Sequence, residues 1–93
     1  MTNCTNQALL EWDSELNRIY KELQRSLDEE AKSSLRNSQR KWITYKEAEI
    51  QSINKIYSSL QGTMYIPMRA NAILQITKKR TLELKSYLAL VSK

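Results

Sequence analysis

The sequence is poor in the residues that interrupt helices. Gly62 and Pro67 are its only glycine and proline, they stand close together, and phenylalanine is absent. Sheet proteins need frequent turns, and turns favour glycine and proline. The sequence therefore predicts long helices with one well-defined corner, which lies between the second and third helices.

Several kinds of functional chemistry are also missing. The chain has no histidine and one cysteine, Cys4, so it lacks the usual general base and the ligands of an ordinary zinc site. One glycine cannot build a phosphate-binding loop or a dinucleotide motif. Acidic pairs such as Glu47 and Glu49 are interpreted as surface charge. We therefore predict no enzymatic activity, no cofactor and no bound metal.

No long hydrophobic segment is present. The longest apolar run, Leu-Ala-Leu-Val at residues 88–91, is far shorter than the ~20 residues that span a bilayer. Polar residues follow Met1 directly, which is unlike a signal peptide. The chain is expected to be either a cytosolic protein or a mature protein whose leader has been removed, and the residues alone leave both open.

Apolar residues recur at helical spacing in three segments. The first helix is predicted at residues 6–30, with Leu16 and Ile19 in its stripe. The second is predicted to begin at Ser33 or Ser34 as N-cap and to end at Gly62, and the third to run from near Pro67 to Val91. We expect one domain, residues 1–93, with an all-α fold: an antiparallel three-helix bundle whose second and third helices are joined by a longer loop.

Polar residues interrupt the apolar stripes of all three helices. Unpaired buried polar groups cost about 1–3 kcal/mol each, so these residues are expected to satisfy one another. We predict that Arg80 binds a carboxylate, either Asp13 or Glu49. The predicted network consists of Asp13, Asn17, Gln39, Trp42, Tyr45, Glu49, Thr77 and Arg80. It is interpreted mainly as a lock on helix register, and the alternative is that it opens to a ligand-binding cleft.

The order of these residues resembles a known family. The spacing Asp13-x-x-Leu16-Asn17-x-x-Tyr20 is followed by Gln39-Arg40-x-Trp42-x-x-Tyr45-Lys46, then by Gly62-Thr63 and Thr77-x-x-Arg80. This set is similar to the LprI-type domain of secreted bacterial proteins. The resemblance implies an exported, periplasmic or secreted protein. It also implies a protein partner in the cell envelope, because inhibition of lysozyme is the activity described for the member that names the family.

The sequence departs from the family pattern at cysteine positions. Ile50 and Ala72 stand where the family usually has cysteines, and Lys46 stands where arginine is usual. If those cysteines form a disulfide in the family, this chain has replaced it with an apolar contact. Cys4 matches a family cysteine but has no second cysteine to pair with in this chain, and its role stays open.

Three surfaces are candidates for function. As a lysozyme inhibitor, the chain is expected to bind through the loop containing Gly62, Thr63, Tyr65 and Arg69. The charge is uneven: residues 1–31 hold seven acidic and three basic residues, and the remainder is strongly basic. Nucleic-acid or anionic-surface binding through Lys41, Lys55, Arg69, Lys78 and Lys79 is the less favoured alternative. The third is a self-associating C-terminal face with Leu84, Tyr87, Leu88 and Val91.

Overall fold

Three α-helices make up the fold. A computed structural model describes the backbone of residues 2–92 and the side chains of residues 5–92. The helices are α1 (Thr2–Ser26), α2 (Glu29–Ser58) and α3 (Tyr65–Val91), and no strand occurs within residues 2–92. The predicted all-α class is confirmed. The interpretation of the chain as one domain stays a prediction, and the side chain of Cys4 lies outside the described residues.

The helices run up, down and up along a body about 50 Å long. The Thr81 hydroxyl donates to the Trp12 carbonyl, and Glu15 lies 3.7 Å from Lys85, so α1 and α3 are parallel. Arg80 of α3 contacts Gln39 near the start of α2. At the other end of α2, Ile53 lies across from Ala72 near the start of α3. Each helix is therefore antiparallel to the next, as predicted.

The first helix boundary was predicted in the wrong place. The first helix ends at Ser26 rather than residue 30, and α2 begins at Glu29. Its N-cap is Asp28, whose side chain accepts a hydrogen bond from the Ala31 N–H at 2.8 Å. Glu29 and Glu30 add negative charge in the first turn, where the helix dipole favours it. Asp28 therefore provides the cap that was assigned to Ser33 or Ser34.

The corner between α2 and α3 also differs from the prediction. The second helix ends at Ser58 with Ser59 as its C-cap, so Gly62 is not the capping residue. Gly62 instead lies within the loop, where it has a φ of 114°. Its carbonyl accepts a hydrogen bond from the Tyr65 N–H, which starts α3. Glycine is favoured there because other residues rarely adopt positive φ.

The hydrophobic core lies mainly between α1 and α3. Leu16, Ile19 and Leu23 of α1 pack with Leu84 of α3, and all four are almost completely buried. Thr77 and Thr81 are buried beside this core, and the Thr81 hydroxyl shares its one hydrogen between the Thr77 carbonyl at 2.8 Å and the Trp12 carbonyl at 3.4 Å. This shared hydrogen bond lets a buried hydroxyl lie between tightly packed helices.

The second helix packs less closely. Ile53 is its one buried residue among the described side chains, while Leu35 and Trp42 are half-buried against the core. Within residues 2–92, none of the helices is apolar over a length sufficient to cross a membrane.

A charged group at the surface links the two core helices. Glu15 of α1 accepts two hydrogen bonds of 2.8 Å from Arg18 and lies near Lys85 of α3. The hydrogen bonding by Arg18 lowers the pKa of Glu15, partial desolvation opposes this, and the charges of Arg18 and Lys85 lower the pKa further.

We expect Leu84→Ala to lower the free energy of unfolding by about 2–5 kcal/mol, because it opens a cavity in the core. Leu82→Ala is the matched control on the same helix, since Leu82 is exposed, and it should change stability by no more than about 0.5 kcal/mol. Denaturant unfolding followed by circular dichroism measures both. Equal losses in the two variants would contradict the placement of the core.

We expect the Glu15 carboxyl to titrate below the ordinary value of 4.5. A lowered folded-state pKa stabilises the fold above the unfolded value, and this contribution is lost as pH falls through the folded value. Side-chain NMR titration measures the pKa. Arg18→Ala should raise it, and no change in that variant would show that Arg18 is not the cause.

Candidate functional site

A buried arginine joins α3 to α2. Arg80 is 8% exposed. Its Nε donates to Gln39 Oε1 at 3.0 Å, its Nη1 to Glu83 Oε1 at 2.6 Å and its Nη2 to Ser38 Oγ at 3.1 Å. Three of the five N–H groups of a guanidinium are used in these bonds, and one carboxylate neutralises its charge. This arrangement gives a buried cation the hydrogen bonds and the counter-charge that it requires.

The carboxylate bound to Arg80 was predicted incorrectly. It is Glu83, three residues along the same helix, rather than Asp13 or Glu49. Residues three apart on a helix are neighbours, so Glu83 reaches Arg80 without help from another helix. The hydrogen bond between Arg80 and Gln39 does link two helices, as the predicted network requires.

The other members of the predicted network separate into three places. Trp42, Tyr45 and Glu49 line the same cleft as Arg80. Asp13 and Thr77 line a smaller hollow of about 210 Å³ together with Lys46. Asn17 is exposed on α1. The eight residues therefore do not form one continuous network.

Sequence reasoning missed Ser38, Glu83 and Thr81. Glu83 could have been found from its spacing of three residues from Arg80. Thr81 follows Thr77 by one helical turn, a spacing that allows a threonine hydroxyl to bond a backbone carbonyl. No sequence pattern indicated that Ser38 binds Arg80, because this contact depends on the rotation of α2 relative to α3.

The cleft between α2 and α3 has a volume of about 460 Å³, within the range of small-molecule sites. Its lining is mixed: Arg80 and Glu83 are among the charged residues, and Ile53 and Ile76 are among the apolar ones. Trp42 is half-buried, and Lys46 lies 5.1 Å from the centre of its ring. Tyr45 is 53% exposed at the rim.

A second candidate surface is the α2–α3 corner, which contains the predicted binding loop. Gly62 and Thr63 are exposed in the loop, and Tyr65 and Arg69 lie in the first turns of α3. The ring of Tyr65 packs against Tyr57 of α2 at 6.3 Å between centroids. The corner also exposes large apolar side chains, which we call the apolar corner. These are Ile56, Leu60, Met64, Ile66 and Met68.

The corner has an unusual charge. No acidic residue occurs between Glu49 and Glu83, while Lys55 and Arg69 lie in or near the corner. The apolar corner is thus flanked by cations and contains no carboxylate from its own segment.

The other two predicted surfaces are the C-terminal face for self-association and the basic residues for nucleic-acid binding. Leu84 is fully buried, so it is not available for a face shared between chains, and Leu88 is partly buried against the core. Tyr87 and Val91 are exposed. Lys78, one of the basic residues of the nucleic-acid alternative, lies 5.7 Å from the Trp12 ring of its own chain. Binding to nucleic acid stays an untested prediction.

We expect Gln39→Ala to lower the free energy of unfolding by about 1–3 kcal/mol, because it leaves the buried Arg80 Nε–H without an acceptor. Gln51→Ala is the matched control, since Gln51 is exposed on the same helix. Thermal and denaturant unfolding measure the difference. A loss no larger than that of the control would mean that the link between Gln39 and Arg80 does not hold α2 in place.

Comparison with known proteins gives a family. The family model described as "Lysozyme inhibitor LprI" matches residues 1–84. Comparisons with curated proteins and with solved structures found no match. The residues that carry the resemblance, from Asp13 to Arg80, all fall within the matched range. On this match over most of its length, the chain belongs to the LprI family.

Proposed function

We propose that this chain is a non-enzymatic binding module of the cell envelope that inhibits a lysozyme through the apolar corner. Family membership suggests the class of partner. The observation that carries the choice of surface is the exposure of five large apolar side chains around one loop. Large contiguous apolar patches are uncommon on monomeric proteins and often mark interaction sites.

The corner is suited to contact with a protein. Methionine side chains are flexible and adapt to irregular surfaces, and Met64 and Met68 are both exposed there. The contact between Tyr57 and Tyr65 packs the start of α3 against α2. A flexible apolar contact supported by two packed helices can bury area with little ordering of the backbone, which favours affinity.

The charge of the corner suits the cleft of a glycosidase. Such clefts carry two catalytic carboxylates. Arg69 lines a hollow together with Ile66 of the apolar corner, and an arginine can bind a carboxylate with two parallel hydrogen bonds. Because the segment from Ile50 to Leu82 lacks acidic residues, no neighbour in that segment competes for Arg69 or repels the carboxylates of the enzyme.

The net positive charge of the chain does not speed its association with a basic lysozyme. The chain carries +5 overall, so long-range attraction does not steer it toward a basic lysozyme. Burial of the apolar corner must therefore supply most of the binding free energy, with Arg69 giving orientation. A location in the periplasm or outside the cell belongs to the same proposal, because the proposed partner acts on the cell wall.

We expect the purified chain to slow lysis of bacterial cell walls by lysozyme in a turbidity assay. Met64→Glu should weaken inhibition at least tenfold, because it places a charge within the proposed apolar contact, a loss of about 1.4 kcal/mol or more in binding. Leu90→Glu is the matched control: Leu90 is as exposed as Met64 but lies near the end of α3, and this variant should inhibit like the parent.

Two results would contradict the proposal. Lysis that is unaffected at high molar excess of the chain would remove lysozyme as the partner. Equal inhibition by Met64→Glu and Leu90→Glu would show that the contact does not lie at the corner.

A sedimentation assay with anionic lipid vesicles distinguishes binding to a membrane surface from binding to a protein partner. Binding to vesicles that Met64→Glu abolishes, without inhibition of lysis, would assign the corner to lipid.

A further inference from the structure

The cleft between α2 and α3 contains hydrogen-bonding groups that the fold does not use. Arg80 is more than nine-tenths buried and lines the cleft, and the three hydrogen bonds described above leave two of its N–H groups unused. Glu83 gives one oxygen to Arg80 and retains the other. The buried guanidinium is fixed from both helices, so any donor that it offers to a ligand is already oriented.

The remaining polar groups of the cleft are of both signs. Glu49 and Lys79 also line the cleft, and neither has an ion pair or hydrogen bond among the described residues. Gln75 contributes an amide whose nitrogen donates to Asn71, which leaves the carbonyl oxygen available. Two carboxylates and two cations make the cleft neutral overall. A simple anion or cation would meet a like charge there, so the cleft favours a neutral ligand.

The aromatic residues and the length of the cleft restrict the kind of ligand that would fit it. Trp42 and Tyr45 lie along the α2 side, and Tyr45 is more than half exposed. From Trp42 to Ile53 the cleft follows α2 for about 16 Å, at 1.5 Å per residue. A ligand that fills it must have an apolar face for the aromatic rings, and edges that both donate and accept hydrogen bonds. A hydroxyl group does both.

We propose that this cleft binds a short neutral oligosaccharide. A sugar ring has an apolar face of C–H groups that can lie on the exposed Tyr45, and its hydroxyls can bond Glu49, Lys79 and the free N–H groups of Arg80. This site is separate from the apolar corner and does not depend on the proposed inhibition of lysozyme.

Tryptophan fluorescence can test the proposal directly. The chain has two tryptophans, Trp12 and Trp42, so Trp12→Phe leaves Trp42 as the only indole and as a reporter inside the cleft. Cellotriose, chitotriose and maltotriose serve as probes. In this background, at least one of them should change the Trp42 emission saturably, with a dissociation constant of about 1 mM, as expected for a small and open site.

Substitutions at the rim locate the binding. Tyr45→Ala should weaken binding roughly three- to tenfold, the value of one aromatic contact. Tyr87→Ala is the matched control, because Tyr87 is an exposed tyrosine outside the cleft, and it should bind within about twofold of the parent. Met64→Glu should also bind sugar normally, which separates this site from the apolar corner.

Three outcomes would overturn the proposal. One is an emission that none of the three sugars changes at tens of millimolar. A second is equal binding by Tyr45→Ala and Tyr87→Ala. The third is a response to a zwitterion such as free leucine without a response to any sugar, which would assign the paired charges of the cleft to an amino acid.

Discussion

The position of α2 depends on the buried guanidinium of Arg80. The first and third helices have a shared apolar core, but α2 contributes one buried residue, Ile53, within the part of the chain that the structure describes. The other contacts that hold α2 to the rest of the fold are half-buried side chains and the hydrogen bonds from Arg80 to Ser38 and Gln39. Hydrogen bonds are directional, whereas apolar contacts tolerate sliding. Arg80 therefore sets the rotation and register of a helix that apolar packing alone would hold loosely.

The same arrangement explains why the molecule has two different surfaces. Because polar bonds rather than interlocking apolar side chains hold α2 beside α3, the space between them is left as a cleft with charged and aromatic walls. At the corner, where the two helices meet, the side chains of the loop turn outward and the apolar residues become exposed. The polar cleft and the apolar corner thus lie at different levels of one helix pair and suit ligands of different chemistry.

The sequence was informative where a pattern repeats and less so where a single contact decides. The periodic apolar residues Leu16 and Ile19 predicted the buried face of α1, and the lone Gly62 and Pro67 predicted the corner. The N-cap at Asp28 was missed because two serines a few residues later carry the same capping signal. The carboxylate that binds Arg80 was predicted incorrectly because a buried arginine was expected to pair with a carboxylate on another helix, whereas Glu83 lies on the same helix. The cleft was predicted only as the less favoured alternative for the polar network, and its size could not be predicted, since that depends on the spacing of two helices.

The pairing of the first helix with the last has a consequence for how the chain folds. Leu84 is the core partner of Leu16, Ile19 and Leu23, and the ribosome reaches it more than fifty residues after them. The hairpin of α1 and α2 contains little of the core, so it gains little by forming alone. Closing so long a loop costs entropy before any core contact stabilises it. During synthesis the apolar face of α1 therefore stays uncovered until α3 emerges, and α1 is the segment most in need of protection from aggregation.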